Sequence, residues 1–351
     1  MVGIKRKPYY QTKYGCAYYA DSLELMSELP DGCIKLVVTS PPFALKRKKE
    51  YGNVDTHEYI EWILPFARQI RRILRDDGSF VLDLGGTWNR GMPTRSLYQY
   101  EVAVEFVRQR LFFLAQEFHW YNPAKLPSPA EWVTVRRVRV KDAVNTVWWF
   151  SKTEHPDADN RRVLTEYSDS MKKLLKDGYR AKVRPSGWDI SEKFSKCNGG
   201  AIPPNLLQIA NTESNSQYQR LSRQAGLKVH PARFPYGLPE FFVKFLTKPG
   251  ELVYDCFGGS NITGRVCEDL GRPWIISEIS EEYLRGSKFR FAKDSDVSMD
   301  QIRSGSPNEL TEPLLEHLSM PLAGSRRRRL LAPPRVARSK ARRDPAFDPL
   351  R

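Results

Sequence analysis

Short apolar runs alternate with amphipathic stretches along the first part of this chain. Residues 16–20, 34–38 and 79–84 have the composition of strands, and residues 23–29 and 57–75 have apolar positions three and four apart, as in helices. Residues 98–110 continue the pattern as a helix, and 111–121 and 143–151 continue it as strands. Alternation at these lengths is typical of an α/β fold, in which helices cover both faces of a mostly parallel sheet.

The pattern changes at residue 152. Residues 152–229 are polar and rich in Gly, Pro, Ser and Asn, which predicts an inserted recognition region instead of sheet core. Strand-like sequence returns at 252–256 and 273–279, and a short helix is predicted near 310–318. We therefore divide the chain into residues 1–151, an inserted recognition region (152–229), residues 230–293 and a basic, disordered tail (294–351).

The net charge of +15 indicates a polyanionic partner. Residues 324–351 hold ten Lys and Arg against two Asp, a net of +8, so the remainder carries +7. Five cysteines without a C-x-x-C pair favour buried, reduced thiols in a cytosolic protein, and we expect neither disulfides nor a bound metal. No apolar run approaches the roughly 18 residues of a membrane helix, so we expect no membrane insertion or secretion.

The strand at 34–38 runs directly into the sequence T-S-P-P-F at 39–43. Two consecutive prolines stiffen this turn and remove two backbone donors, which leaves carbonyl groups free. The Phe43 ring can stack on a flat group, while Ser40 and the adjoining carbonyl accept hydrogen bonds from an amine. Ser-Pro-Pro is also a common turn sequence, so a purely structural role remains an alternative for this motif alone.

Residues 253–264 have the pattern of a strand, a Gly-rich turn and a helix start, which lets a ligand approach the backbone closely. Arg265 and Val266 stand where a P-loop needs Lys and Ser or Thr, and the spacing of a dinucleotide site is also missing. Glu278 ends the next strand, where an acidic residue binds the two hydroxyls of a ribose. A nucleoside cofactor without phosphates therefore fits better than ATP or NAD, and a structural Gly-rich hairpin is the alternative.

The Ser-Pro-Pro-Phe motif together with D-x-F-x-G-S-x-x-T at 255–263 resembles the β-class S-adenosylmethionine-dependent DNA amino-methyltransferases of the cytosine-N4 type. The resemblance runs from about residue 14 to 291 and includes the motifs at 83–86, 120–125 and 230–235. It implies a Rossmann-like sheet with one antiparallel strand, S-adenosylmethionine as cofactor and double-stranded DNA as partner. It also implies a restriction-modification system and suggests the target CAGCTG.

The resemblance implies that residues 1–151 form the catalytic half, 152–229 the target-recognition region and 230–293 the cofactor-binding half. It further implies roles for matching positions. Ser40, with the Pro41 carbonyl, would hold the cytosine amino group, and Phe43 would stack on the base. The catalytic positions are Ser40, Pro41, Pro42 and Phe43. Of the cofactor positions, Asp21 would face the adenine and Glu278 would bind the ribose. The methionine portion would be held by Asp255, Phe257, Gly258, Gly259 and Ser260, with Pro235 closing that end. A base inside a duplex cannot reach such a pocket, so base flipping is implied.

Basic residues outside these motifs are predicted to contact DNA. They are Lys46, Arg47 and Lys48 in a loop, and Arg136, Arg137 and Arg139 in a segment that alternates Val with Arg. A solvated charged turn is the alternative for the loop at 46–52. We further expect a monomer in the bacterial cytoplasm, with a cognate restriction endonuclease as its functional partner.

Two other functions stay open at this point. The same fold methylates adenine at N6, although adenine enzymes of the family mostly carry Asp or Asn where Ser40 stands. A DNA-binding repressor or scaffold without catalysis would suit the basic charge, but it would leave the cofactor turn unexplained. No Cys follows a proline, which speaks against a C5-cytosine methylase.

Overall fold

The structure, a computed structural model, describes residues 3–44, 54–56, 58–89, 91–178, 196–212 and 216–292. The basic loop at 46–52 and the predicted tail with its short helix lie outside these residues. In the described part of the chain, no helix has the length and apolar character needed to cross a membrane.

The described residues form one nine-stranded sheet with the order β1-β2-β9-β8-β3-β4-β6-β5-β7. The strands are β1 (Tyr10–Gln11), β2 (Gly15–Tyr19), β3 (Ile34–Thr39), β4 (Leu74–Leu84), β5 (Phe113–Tyr121), β6 (Val144–Ser151), β7 (Leu206–Gln208), β8 (Val253–Asp255) and β9 (Trp274–Glu278). Strands β2, β9, β8, β3 and β4 are parallel neighbours, whereas β6 is antiparallel to both β4 and β5. This confirms the predicted mostly parallel sheet; the two-residue edge strand β1 is also antiparallel.

Helices cover both faces of the sheet, as predicted. The described helices are α1 (Ser22–Glu28), α2 (Tyr59–Ile73), α3 (Tyr98–Arg108), α4 (Asp169–Asp177), α5 (Gln217–Gln224), α6 (Gly237–Leu246), α7 (Ile262–Leu270) and α8 (Glu281–Ser287). Buried side chains of α1, α2 and α3 form one core cluster with the sheet. Those of α6, α7 and α8 form the second cluster.

Two elements differ from the sequence-based expectation. Strand β4 begins at Leu74, directly after α2, although the charged residues at 75–77 lack a strand pattern. The segment 152–229 also contributes β7, which pairs in parallel with β5 and buries only Leu207. A three-residue strand with one buried side chain is too short to be recognised from periodicity.

The five cysteines are free thiols. Cys16, Cys256 and Cys267 are buried and Cys33 is half-buried, as expected for structural thiols, but Cys197 is exposed. It lies in the polar region between β6 and β7, where few apolar residues are present to cover a side chain.

Candidate active site

The strand directions bring several carboxyl ends to one edge of the sheet. There β2, β3, β4, β8 and β9 all end, and the antiparallel strand β6 begins. A cavity of about 790 Å³ opens at this edge. Both sequence motifs line it, with residues 40–43 from the turn after β3 and residues 257–260 from the turn after β8. Open α/β sheets bind their ligands at this edge.

The register between β3 and β4 places Ser40 beside a buried carboxylate. Thr39 lies opposite Leu82, so the next residues along both strands, Ser40 and Asp83, come level. Ser40 Oγ donates a hydrogen bond to Asp83 Oδ2 at 3.1 Å, and Asn145 Nδ2 donates to Asp83 Oδ1 at 3.3 Å. Burial raises the pKa of Asp83 to about 6, although both hydrogen bonds oppose this shift.

This arrangement fixes the direction of the Ser40 hydroxyl. Because its proton points to Asp83, the oxygen has its lone pairs left for an incoming donor. Sequence reasoning did not assign Asp83 or Asn145 to the site. Asp83 stood in a recognised motif at a strand end, which is a usable signal, whereas Asn145 depends on the antiparallel register of β6.

Packing holds the rest of the Ser-Pro-Pro-Phe turn. Tyr59 Oη of α2 donates to the Pro42 carbonyl at 2.8 Å. The Phe43 ring lies against Gly85, where an added Cβ would stand 2.4 Å from Phe43 Cε2. Glycine at this position is therefore needed for the ring to lie at the end of β4, and Tyr98 Oη donates to the Gly85 carbonyl from α3.

Asp255 joins the two motifs. Its buried carboxylate accepts hydrogen bonds from Thr39 Oγ1 at 2.6 Å, Thr263 Oγ1 at 2.7 Å and the Phe257 amide at 3.1 Å. Burial raises the pKa of Asp255, and these three donors oppose that shift. The carboxylate thus ties the end of β3 to the turn after β8 and to the start of α7.

Glu278 organises the Gly-rich turn from the neighbouring strand. Its side chain accepts from the Gly259 amide at 2.7 Å and from the Ser280 amide at 2.8 Å, and burial raises its pKa. Gly259 has a φ of +50°, and a Cβ on Gly258 would stand 2.8 Å from Ile276. Both glycines are therefore required for the turn to lie close to β9, with the Glu278 carboxylate at the cavity wall.

An aromatic wall adjoins this turn. The Phe257 ring lies 5.8 Å from the Trp62 ring and 5.1 Å from the Phe66 ring, measured between centroids, and all three line the cavity. Sequence reasoning did not assign Trp62 or Phe66 to the site. A buried carboxylate, a glycine turn with close backbone approach and an apolar wall suit a nucleoside ligand.

The other predicted cofactor residues differ in how they relate to the cavity. Asp21 lines the cavity and caps α1, where it accepts from the amides of Leu23 and Glu24. Ser260 is buried beside Arg290, which donates to its hydroxyl at 2.9 Å. Pro235 is buried just before α6, and the cavity wall there consists of residues 230–234.

The predicted DNA-contact residues have different surroundings in the structure. Arg136 is exposed, 2.7 Å from Glu131 and 5.3 Å above the Trp132 ring, and Arg137 is exposed next to it. Arg139 donates instead to both carboxylate oxygens of Asp142 at 3.0 Å. Lys46, Arg47 and Lys48 lie outside the described residues.

Known proteins are similar to this chain in sequence and fold. Residues 34–289 match the family model described as DNA methylase. The chain is 55% identical over 305 residues to the type II methyltransferase M.PvuII of Proteus hauseri, covering 86% of this chain and 90% of that protein. It is 26% identical over 285 residues to M.ScaI of Streptomyces caespitosus, covering 79% and 81%.

A solved structure titled PvuII DNA methyltransferase (cytosine-N4-specific) superimposes with a TM-score of 0.71. Its sequence is 48% identical, and the match covers 85% of this chain and 93% of that one. The residues matched by the family model contain the Ser-Pro-Pro-Phe turn, the Gly-rich turn and the strands between them. The chain belongs to the DNA methylase family.

Proposed function

We propose that this protein is a site-specific DNA methyltransferase that modifies the N4 amino group of a cytosine flipped out of duplex DNA. The observation that carries this proposal is the Ser40–Asp83 hydrogen bond, which lies in the same cavity as the Glu278-bound glycine turn. Its support from known proteins is the extensive identity to M.PvuII and to the structure titled cytosine-N4-specific.

The cofactor is S-adenosylmethionine, which supplies an electrophilic methyl group on its sulfonium. Glu278 is assigned to the ribose hydroxyls and Asp21 to the adenine end. Gly258, Gly259 and Ser260 are assigned to the methionine end, together with Phe257, and Asp255 holds their turn in place. Pro235, which is buried next to the cavity-lining Phe234, is assigned to closing that end.

The base binds next to Ser40. The Ser40 oxygen accepts one amino N–H, the Pro41 carbonyl accepts the other, and the Phe43 ring stacks on the base. Conjugation with the ring makes the amino nitrogen a poor nucleophile, so acceptors that tilt its hydrogens out of the plane increase its reactivity. Positive charge develops on this nitrogen during transfer, and acceptors that strengthen at that stage lower the barrier.

The methylated nitrogen must then lose a proton. Asp83 Oδ2 lies 3.1 Å from Ser40 Oγ, and the Asp83 pKa of about 6 leaves it largely ionised at neutral pH yet able to take a proton. Ser40 is thus the contact through which the proton passes to Asp83. Asn145 keeps the carboxylate oriented from β6.

Several finer assignments belong to the same proposal. The target is CAGCTG, and the cognate endonuclease cuts that site, as expected for a relative of a type II methyltransferase. The protein works as a monomer in the cytoplasm, and its free thiols fit a reducing compartment. Exposed Arg136 and Arg137 contact phosphates, as do Lys46, Arg47 and Lys48, whereas Arg139 orders its own loop through Asp142.

A restriction-protection assay tests the function and the target together. Plasmid DNA with CAGCTG sites is incubated with the protein and S-adenosylmethionine and then digested with an endonuclease that cuts CAGCTG. We expect resistance at these sites and normal cleavage by an endonuclease of a different specificity. Cleavage at CAGCTG together with methylation elsewhere would overturn the target, and no methylation of any DNA would overturn the function.

A further inference from the structure

A stiff loop carries an exposed leucine at the rim of the cavity. Lys125 and Ser128 both line the cavity, and Leu126 lies between them with 80% of its surface exposed. Prolines at positions 123, 127 and 129 restrict the backbone on both sides. In the part of the chain that the structure describes, no element covers this side chain.

The loop is anchored at both ends. The Asn122 amide donates to the Ala143 carbonyl at 2.9 Å, and the Asp142 amide donates to the Ser128 carbonyl at 3.1 Å. Lys141 Nζ also donates to the Lys125 carbonyl at 3.1 Å. The backbone on both sides of Leu126 is therefore anchored beside the cavity, unlike the backbone of a loose surface loop.

The surroundings of Leu126 indicate which kind of partner its side chain contacts. The loop continues the wall of the cavity assigned to the flipped cytosine, and the same segment carries exposed Arg136 and Arg137, whose charge suits phosphates. Extrusion of a base leaves an apolar gap between stacked neighbours. Proteins that distort DNA commonly insert an aliphatic side chain into such a base stack.

We infer that Leu126 is a wedge that enters the DNA base stack at the position vacated by the target cytosine. This inference rests on the proposed function and adds the residue that stabilises the flipped state. The partner is the interior of the duplex, with apolar contact from Leu126 and phosphate contact from the arginines. The wedge touches neither the cofactor nor the reacting amino group, so it acts on flipping alone.

The test uses the full chain and two 20-base-pair CAGCTG duplexes, a length chosen to be about two helical turns. One is fully paired, and the other has an abasic site in place of the guanine opposite the target cytosine. Single-turnover methylation is measured on both. Unstacking is followed on a third, fully paired duplex that carries the fluorescent cytosine analogue pyrrolocytosine at the target position. Leu126→Ala should slow methylation of the paired duplex roughly tenfold to a hundredfold, since the flipped state loses the apolar contact that offsets part of the unstacking cost, and should weaken the fluorescence rise. The abasic-opposed duplex should restore most of the rate.

Two variants make the result specific. Leu126→Met keeps a long apolar side chain and should remain close to the unmodified protein. Leu114→Ala removes a half-exposed leucine near the start of β5, at the opposite edge of the sheet, and should change neither readout. S-adenosylmethionine affinity, measured by calorimetry, should be the same in all variants.

The outcomes separate the two proposals. If the unmodified protein methylates the paired duplex and Leu126→Ala does so at the same rate, the wedge is overturned and the function stays intact. An equal loss on both duplexes would also overturn it, because a wedge acts only on base flipping. Absence of cytosine methylation in the unmodified protein would instead overturn the function itself.

Discussion

Ser40 and Asp83 form the smallest unit of the proposed mechanism. Either residue alone would be unremarkable, since a serine before two prolines is a turn residue and a buried aspartate is a common structural acceptor. At 3.1 Å from each other, with Asn145 on the second carboxylate oxygen, they leave the serine oxygen as an acceptor at the cavity wall. An amino group that binds in the cavity requires such a hydrogen-bond acceptor.

Ser40→Ala should slow methyl transfer without affecting the cofactor. By analogy with the loss of one oxyanion-hole contact, we expect single-turnover methylation at saturating cofactor to fall by about 10²–10³. The Pro41 carbonyl remains, so some activity should persist. Ser40→Asp should not restore the rate, because its carboxylate would face the Asp83 carboxylate and could not donate a hydrogen bond to it. Full-rate transfer by Ser40→Ala would show that the hydroxyl is not used.

The proposed role of Asp83 predicts that the rate of methyl transfer depends on pH. Burial raises the pKa of this carboxyl to about 6, so it becomes protonated as the pH falls through that value and then no longer accepts a proton from Ser40. The single-turnover rate should therefore be constant above about pH 7 and decline below about 6. Asp83→Asn should be slow at all pH values and lack this inflection. An unchanged inflection in Asp83→Asn would assign it to another group.

At the scale of elements, the turn after β8 depends on its neighbours. Asp255 fastens it to β3 through Thr39, and Glu278 fastens it to β9 through the Gly259 amide. Contacts from two neighbouring strands therefore hold the turn that is proposed to bind the cofactor.

Glu278→Ala should weaken S-adenosylmethionine binding more than it slows the bound-state reaction. A lost charge-assisted hydrogen bond is worth roughly 1.5–3 kcal/mol, or about one to two decades in affinity. Calorimetry gives the affinity, and single-turnover kinetics at saturating cofactor give the bound-state rate. Glu101→Ala on the exposed side of α3 is the matched control and should change neither. An unchanged affinity with a collapsed rate would remove Glu278 from the ribose site.

The strand–turn units could be predicted because their signals are local. An apolar run followed by Ser-Pro-Pro-Phe or by the Gly-rich turn is contiguous in sequence, and the structure has strands ending at Thr39 and Asp255 directly before those turns. The Ser40–Asp83 pair depends on register between two strands, and Asn145 depends on the direction of a third. Such long-range pairings are set by tertiary packing, so short-range patterns do not determine them.

At the scale of the whole molecule, one sheet interleaves the two predicted halves. Strands β2 and β3 of the first half pair with β9 and β8 of the second, so the division proposed at 151 and 230 is one of sequence and function, while the sheet is continuous. Both halves contribute walls to the same cavity. Of the net charge of +15, residues 324–351 carry +8, and these residues lie beyond the described part of the chain.

Deleting residues 324–351 should lower DNA affinity without altering the target. Their ten Lys and Arg exceed two Asp by eight charges, and phosphate contacts of this kind are independent of sequence. The slope of log affinity against log salt should become shallower, while the methylated site stays the same. A changed target sequence would mean that the tail reads bases.

Identification of the methylated nucleoside tests the central claim most directly. DNA methylated in vitro by the purified protein is digested to nucleosides and analysed by mass spectrometry, with Ser40→Ala as the control for a trace contaminant. We predict N4-methylcytosine as the product, strongly reduced for Ser40→Ala. N6-methyladenine or C5-methylcytosine as the product, or no methylated nucleoside, would contradict the account.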